Sequence, residues 1–157
     1  MQPYGPAVLR VVVGAVFVAH GAQKLFGLWG GGGLAETAAF FAQLGLTPAY
    51  PLAVLAGLLE FGGGLLLIAG ALTFFAALAL VLEMAIATWK VHLANGFFIN
   101  WALTPGHGHG YEFNLTLIGA LVSLMLTGPA AFSIDGYRAR SAESEAYGRA
   151  RLRAGNV

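Results

Sequence analysis

Three ionisable residues lie inside stretches of sequence that are otherwise apolar: His20, Glu60 and Glu83. Ionisable side chains are costly in hydrocarbon, and those that persist commonly bind substrates or move protons. Glu60 and Glu83 are almost equally far from the turn around residues 70–73, so antiparallel helices would bring them to matching depth. Two such carboxylates cannot both ionise cheaply, and at least one needs a proton or a cationic partner. The three residues are therefore the candidate catalytic or proton-carrying groups.

The segment AHGAQKLFG, residues 19–27, adds further polar side chains beside His20. Lys24 is one turn nearer the end of its apolar stretch, so we expect its ammonium group to extend to the membrane surface. The deeper imidazole of His20 needs a partner, and one of the two carboxylates is the nearest candidate. Lysine and histidine can both donate hydrogen bonds to a quinone carbonyl or a sulfur oxyanion. Gln23 and Lys24 are therefore candidate substrate-binding residues. The alternative is a packing network that only fixes helix register.

A second polar group follows the third apolar stretch and consists of His92, His107, His109, Glu112 and Asn114. Two imidazoles separated by one glycine could bind zinc or copper, with His92 or Glu112 completing the site. The flanking glycines provide no fixed ligand spacing, so a plain polar loop is the favoured interpretation and no metal ligand is assigned. Haem held between His20 and His92 is a further alternative that no other residue supports.

The composition is that of a membrane protein. Hydrophobic residues make up 58% of the chain and charged residues 10%, against about 45–50% and about 25% in typical soluble domains. A chain of 157 residues cannot hide so much apolar material from water, so it must face the lipid bilayer. A net charge of +1 with scattered basic residues does not indicate nucleic-acid binding. The absence of cysteine excludes disulfides, thiolate metal sites and dithiol exchange.

Four apolar stretches are long enough to cross a bilayer as helices. The sequence predicts helices over about 7–25, 52–72, 74–93 and 112–132, and a short amphipathic helix in GLAETAAFFAQLGL, between the first two. The predicted fold is all-α: an integral membrane four-helix bundle over residues 1–134, with a short amphipathic surface helix between helices 1 and 2. Residues 135–157 are polar and predict a solvated, partly disordered cytoplasmic tail.

The basic residues predict an orientation for this bundle. With four crossings both termini lie on one side, which holds Arg10, Arg138, Arg140, Arg149, Arg151 and Arg153. The opposite side holds only Lys24 and Lys90. Because cytoplasmic segments are enriched in lysine and arginine, both termini are expected in the cytoplasm. The first apolar stretch is expected to remain as a membrane helix rather than to be cleaved as a signal peptide.

The order of several segments resembles the DoxX family of small four-helix membrane proteins. These segments are AHGAQKLFG, AAFFAQLGL, LEFGGGLLLIAG, MAIATWKVH, GFFINW and GYEFNL, and the resemblance covers about residues 7–128. It implies a multi-pass protein of the bacterial plasma (inner) membrane. Positions that match the family pattern are His20, Gly21, Lys24, Glu60, Gly64, His92, Gly110, Tyr111 and Glu112. On this resemblance His92, Tyr111 and Glu112 join the candidate substrate-binding residues, whereas the His107 and His109 pair is not a family feature.

The resemblance also implies a part in membrane redox chemistry. Family members are associated with a thiosulfate:quinone oxidoreductase and with complexes of oxidative-stress defence. The expected function is an accessory or quinone-interacting subunit, with electrons carried by a bound quinone or by other membrane or periplasmic redox proteins. Association into homo-oligomers is left open. Two alternatives are a small proton-coupled transporter, with Glu60 and Glu83 as coupling sites, and a non-catalytic scaffold of a membrane complex.

Overall fold

The computed structural model describes residues 4–128 and 130–154, and within these ranges all regular structure is helical. The helices are α1 (Tyr4–Phe26), α2 (Gly33–Gln43), α3 (Ala49–Ala69), α4 (Thr73–Ala87), α5 (Glu112–Thr127) and α6 (Ile134–Ala154). A π-helical turn over Thr88–His92 and a 3-10 turn over Leu93–Asn95 extend α4, so that its helical path runs over Thr73–Asn95. The predicted all-α membrane bundle is confirmed.

The apolar helices differ in length. α1, α3 and the extended α4 are long and apolar enough to cross a membrane, whereas α5 has 16 residues. At about 1.5 Å per residue α5 is about 24 Å long, less than the roughly 30 Å of a hydrocarbon core. The fourth helix was predicted to continue to residue 132, and this bound is wrong. Gly128 has a φ of 72° and ends the helix. A glycine followed by proline, as in the sequence LTGPA, is typical of a helix end.

α1 and α3 approach each other closely because glycines form their contact. A Cβ on Gly14 would lie 2.7 Å from the Gly64 carbonyl oxygen, and a Cβ on Gly21 would collide with the backbone of Phe61. Small residues allow such close packing where lipid provides no hydrophobic driving force between helices. α4 returns beside α3 after a tight turn and packs against α5. The buried core lies between these four helices and comprises Val13, Phe17, Leu67, Ala76, Ala77, Leu80, Met84, Leu117, Leu121 and Leu124.

The predicted short helix between the first two long helices is present as α2. None of its residues is buried within the chain, and the ring of Phe40 is 43% exposed. An apolar helix that remains exposed in this way suits the boundary between lipid and water. α2 contacts both α1 and α3 near the end of the bundle where α1 ends.

The opposite end of the bundle is held by polar contacts of residues 132–136, where the predicted tail begins. The Asp135 carboxylate accepts hydrogen bonds from the backbone amides of Leu72 and Thr73, at 2.9 and 2.8 Å. The buried Arg10 guanidinium donates to the Phe132 carbonyl at 2.9 Å. The Ser133 hydroxyl caps α6 by accepting the Gly136 amide at 3.0 Å.

The expectation of a partly disordered tail is wrong for residues 135–154, which belong to α6. Ser133 and Asp135 both favour helix starts, and charged residues of both signs, including the Glu145 and Arg149 pair one turn apart, favour a solvated helix. Beyond its first turn most of the described side chains of α6 are exposed. Residues 155–157 of the predicted tail lie outside the described residues.

Candidate functional site

A cavity of about 440 Å³ lies inside the bundle at the end where α1 finishes. We call it the central cavity. Side chains of α1, α3, α4 and α5 form its walls. The loop over residues 96–111, which we call the covering loop, lies over it. Its lining residues are Phe17, His20, Lys24, Glu60, Met84, Ala87, His92, Ile99, His109, Gly110, Phe113, Asn114 and Leu117. Apolar walls with a few polar groups are typical of small-molecule binding sites of this volume.

Lys24 and Glu60 form an ion pair in the wall of the central cavity. The Lys24 Nζ atom lies 2.5 Å from Glu60 Oε2, and the two side chains are 26% and 5% exposed. The expectation that Lys24 extends to the membrane surface is therefore wrong, as is the expectation that a carboxylate pairs with His20. Helical side chains tilt towards the N-terminus of their own helix. For α1 that direction leads back into the bundle, and for antiparallel α3 it leads towards Lys24.

The depth of Glu60 explains this pairing further. Phe61 lies against Gly21, so Glu60 is level with the last turns of α1. His20, which precedes Gly21, therefore lies at about the same depth as the Glu60 carboxylate. Its ring lines the same cavity but is largely exposed on the side of α1. The imidazole is thus available to a ligand.

Glu83 lies beside this ion pair but does not line the central cavity. Glu60 and Lys24 are the charged groups that act most strongly on its carboxyl. Its Oε2 atom is buried and has no hydrogen-bond partner among the described residues. Because α4 begins at the opposite end of the bundle, the Glu83 side chain leans away from the cavity. The sequence placed the two carboxylates close together, and the structure gives them different surroundings.

His92 and His109 connect the covering loop to the helices. The His92 Nδ1 atom lies 2.9 Å from the His109 carbonyl oxygen, and the Asn95 amide donates to the same oxygen at 3.3 Å. His92 ends the π-helical turn, in which the Leu93 amide donates to the Thr88 carbonyl five residues back. Widened helical turns of this kind occur frequently at functional sites.

Asn114 is a functional candidate to which sequence reasoning gave no substrate-binding role. It is 6% exposed, lines the central cavity, and donates only a weak hydrogen bond to Met84 Sδ at 3.8 Å. On α5 it shares a face with the buried Leu117, Leu121 and Leu124. A polar residue at a core-facing position of an apolar helix was the signal that could have identified it.

Three predicted substrate-binding residues do not line the cavity. The Gln23 amide donates to the Trp29 carbonyl at 3.4 Å and closes the turn after α1. The Tyr111 ring packs edge-on against Phe97, with centroids 5.3 Å apart. Glu112 Oε1 accepts the Ile99 amide at 2.9 Å and so ties the covering loop to α5. These side chains shape the surroundings of the cavity.

The histidines of the covering loop do not assemble a metal site. His107 lies in an exposed turn, where its carbonyl accepts the Asn100 amide at 2.9 Å. Over residues 4–128 and 130–154 no three His, Asp or Glu side chains are placed to hold a metal ion. His20 and His92 both line the central cavity, but the Nδ1 atom of His92 is already engaged by the loop.

Comparison with known proteins places these features in a family context. The DoxX family pattern matches residues 5–93. An uncharacterised protein of Haemophilus influenzae is 34% identical over 97 residues, covering 59% of this chain and 63% of that protein, just under two thirds of its length. An uncharacterised membrane protein of Mycobacterium tuberculosis, Rv3486, is 31% identical over 81% of this chain and 77% of its own. The inner membrane protein YqjF of Escherichia coli is 29% identical over 86% and 92%. No solved structure matches the chain.

Proposed function

Because the chain belongs to the DoxX family, and its central cavity combines apolar walls with a few hydrogen-bonding groups, we propose that it is a quinone-interacting membrane protein. In this proposal it acts as an accessory subunit of membrane redox metabolism or oxidative-stress defence, beside other membrane or periplasmic redox proteins. The chain has no cysteine, so electrons pass through the bound ligand or a partner. Its membrane is the plasma (inner) membrane, the location after which its relative YqjF is named.

The observation that best supports a quinoid ligand is the combination of apolar surface and hydrogen-bond donors around the central cavity. Phe17 and Leu117 offer apolar surface for a flat ring. The Lys24 ammonium group has donors beyond the one used by Glu60, and the Asn114 amide has only a weak sulfur partner. Both groups can donate hydrogen bonds to a ring oxygen. A cavity of about 440 Å³ has room for one substituted ring.

Direct binding of a short-chain ubiquinone analogue tests the proposal. Protein purified in detergent is titrated with the analogue by isothermal titration calorimetry, and quinone is extracted with solvent from protein isolated from membranes. The Ala87→Phe variant would fill the cavity without removing a polar group, since Ala87 lines it. Its matched control is Ala85→Phe, two positions away on an exposed face of α4.

We expect saturable binding to the unmodified chain and to Ala85→Phe, and a loss of at least about tenfold in affinity in Ala87→Phe. Binding that is equal in the two variants would show that quinone partitions elsewhere. Absence of both extracted quinone and saturable binding would reject the proposal.

Proton-coupled transport is a second candidate, which the buried and unpaired Oε2 atom of Glu83 favours. A carboxyl without a fixed partner beside an ion pair is suited to gain and lose a proton. Liposomes that contain a pH-sensitive dye test this candidate under an imposed proton gradient. Proton uptake that the chain confers and that Glu83→Gln abolishes would support transport, whereas uptake equal to that of empty liposomes would reject it.

A further inference from the structure

The hydrogen bond between His92 and the covering loop fixes which ring nitrogen a ligand can meet. His92 Nδ1 lies 2.9 Å from the His109 carbonyl oxygen. A carbonyl oxygen can only accept, so Nδ1 must bear the proton in this contact. The neutral imidazole then has a lone pair at Nε2. Since His92 lines the central cavity, the nitrogen that remains for a ligand is a hydrogen-bond acceptor.

Neighbouring contacts hold this arrangement in place. His92 is the last residue of the π-helical turn over Thr88–His92, and the Asn95 amide donates to the same His109 carbonyl at 3.3 Å. The covering loop is tied independently to α5 by the bond from the Ile99 amide to Glu112. The carbonyl that selects the His92 tautomer is therefore positioned by contacts other than His92 itself.

The polar groups around the central cavity thus differ in hydrogen-bonding character. Lys24 and Asn114 are donors towards a ring oxygen, and His92 Nε2 is an acceptor. An oxidised quinone has only acceptor oxygens, so at His92 its carbonyl would face a lone pair. One hydroxyl oxygen of a dihydroxy ring can accept a hydrogen bond from Lys24 or Asn114. The other hydroxyl can donate a hydrogen bond to His92 Nε2.

On the basis of the proposed function, we infer that His92 makes the cavity selective for the reduced, dihydroxy form of an aromatic ligand. The hydroxyl donates its hydrogen bond to Nε2, and this contact discriminates the two forms because a quinone carbonyl has no proton to donate to the same lone pair. His92 is in this respect a specificity-determining residue of the cavity.

Paired titrations with a short-chain ubiquinol analogue and its oxidised form test the inference in detergent under anaerobic conditions. We expect the reduced form to bind about tenfold more tightly, the effect of one hydrogen bond. His92→Asn retains an amide donor near the position of Nδ1 and has no acceptor at that of Nε2, so the ratio should fall to about one. The matched control is His107→Asn at an exposed histidine of the covering loop that does not line the cavity, and it should leave the ratio unchanged.

The nitrogen-15 NMR signals of the imidazole provide a measurement that needs no ligand. Free protein should show His92 protonated at Nδ1 and unprotonated at Nε2, and a signal with the proton on Nε2 would overturn the inference. Equal affinities for the two forms would overturn it while leaving the proposed function intact. If neither form binds, both the proposed function and this inference fail.

Discussion

Lys24 of α1 and Glu60 of α3 hold their charged atoms 2.5 Å apart inside the bundle. The two helices run antiparallel, and each side chain tilts towards the N-terminus of its own helix, so the two groups converge. The glycine contacts of Gly21 and Gly64 bring the backbones close enough for the lysine to reach the carboxylate. Close helix packing and the ion pair therefore depend on the same helix interface.

Removing the cation from this pair should destabilise the bundle. Lys24→Met leaves the Glu60 carboxylate buried without its partner, at an expected cost of about 3 kcal/mol. Thermal unfolding in detergent measures the effect, and the double variant Lys24→Met, Glu60→Met should recover most of it. Lys90→Met is the control, because the Lys90 ammonium lies over the Trp89 ring and not in the bundle. Equal stability of the single and double variants would contradict a stabilising pair.

A methyl group at Gly64 should separate α1 from α3. The added Cβ would lie 2.6 Å from the Gly14 carbonyl oxygen and 2.8 Å from the Val18 amide nitrogen, both backbone atoms. We expect Gly64→Ala to lower the free energy of unfolding by about 1–3 kcal/mol. Gly62→Ala, on the same helix with no atom within 4 Å of its Cβ, should be neutral or slightly stabilising. Indistinguishable unfolding temperatures would argue against glycine-mediated packing.

The sequence predicted the helices far better than the site. Long apolar runs indicate helices directly, because hydrocarbon leaves backbone groups no other partners. Pairing within the site depends on how far each helix extends past its neighbour. Glu60 lies level with the end of α1 because Phe61 meets Gly21, an offset that no count from predicted helix ends reveals.

The covering loop illustrates the same limit. Tyr111 and Glu112 stand in a polar segment that looked suited to a substrate, yet their side chains contact Phe97 and the Ile99 amide. Those partners are more than ten residues away in the chain and belong to an irregular segment, so periodicity gives no information about them. Asn114 by contrast lies on a regular helix, and its helical spacing to Leu117 and Leu121 can be recognised in the sequence.

Four membrane crossings with both termini in the cytoplasm remain a prediction that cysteine labelling can check. The chain has no cysteine, so each introduced thiol is the only one present. Ala102 lies exposed in the covering loop and Ser144 lies exposed on α6. In intact cells a membrane-impermeant maleimide should label Ala102→Cys and not Ser144→Cys. Labelling of both positions, or only of position 144, would show that the topology is different.

Glu112 should control how often the covering loop opens. Its carboxylate accepts the Ile99 amide at 2.9 Å, and Ile99 lines the central cavity. Glu112→Ala removes the acceptor and should accelerate hydrogen exchange in the covering loop by about tenfold. Glu112→Gln keeps an acceptor oxygen at the same place and should stay close to the unmodified chain. Equal exchange in all three chains would show that other contacts close the loop.

Asp135 should make the stability of the opposite end of the bundle depend on pH. Burial alone would raise the pKa of its carboxyl, but hydrogen bonds from the Thr73 amide and hydroxyl and from the Leu72 amide outweigh burial. The pKa therefore lies below its ordinary value of 3.8. A lowered pKa in the folded state means that the carboxylate stabilises the fold fully above the ordinary value. That contribution is lost as the pH falls through the folded pKa.

Asp135→Asn tests this dependence through thermal unfolding measured at a series of pH values. The carboxylate caps the start of α4, so its loss at neutral pH should cost about 1–2 kcal/mol and lower the unfolding temperature by a few degrees. The difference from the unmodified chain should shrink below about pH 4, where the carboxyl of the unfolded chain binds a proton that the folded chain still resists. Glu145→Gln, in an exposed pair with Arg149, should cause little change at any pH. A difference for Asp135→Asn that stays constant down to pH 3 would show that its charge does not stabilise this helix start.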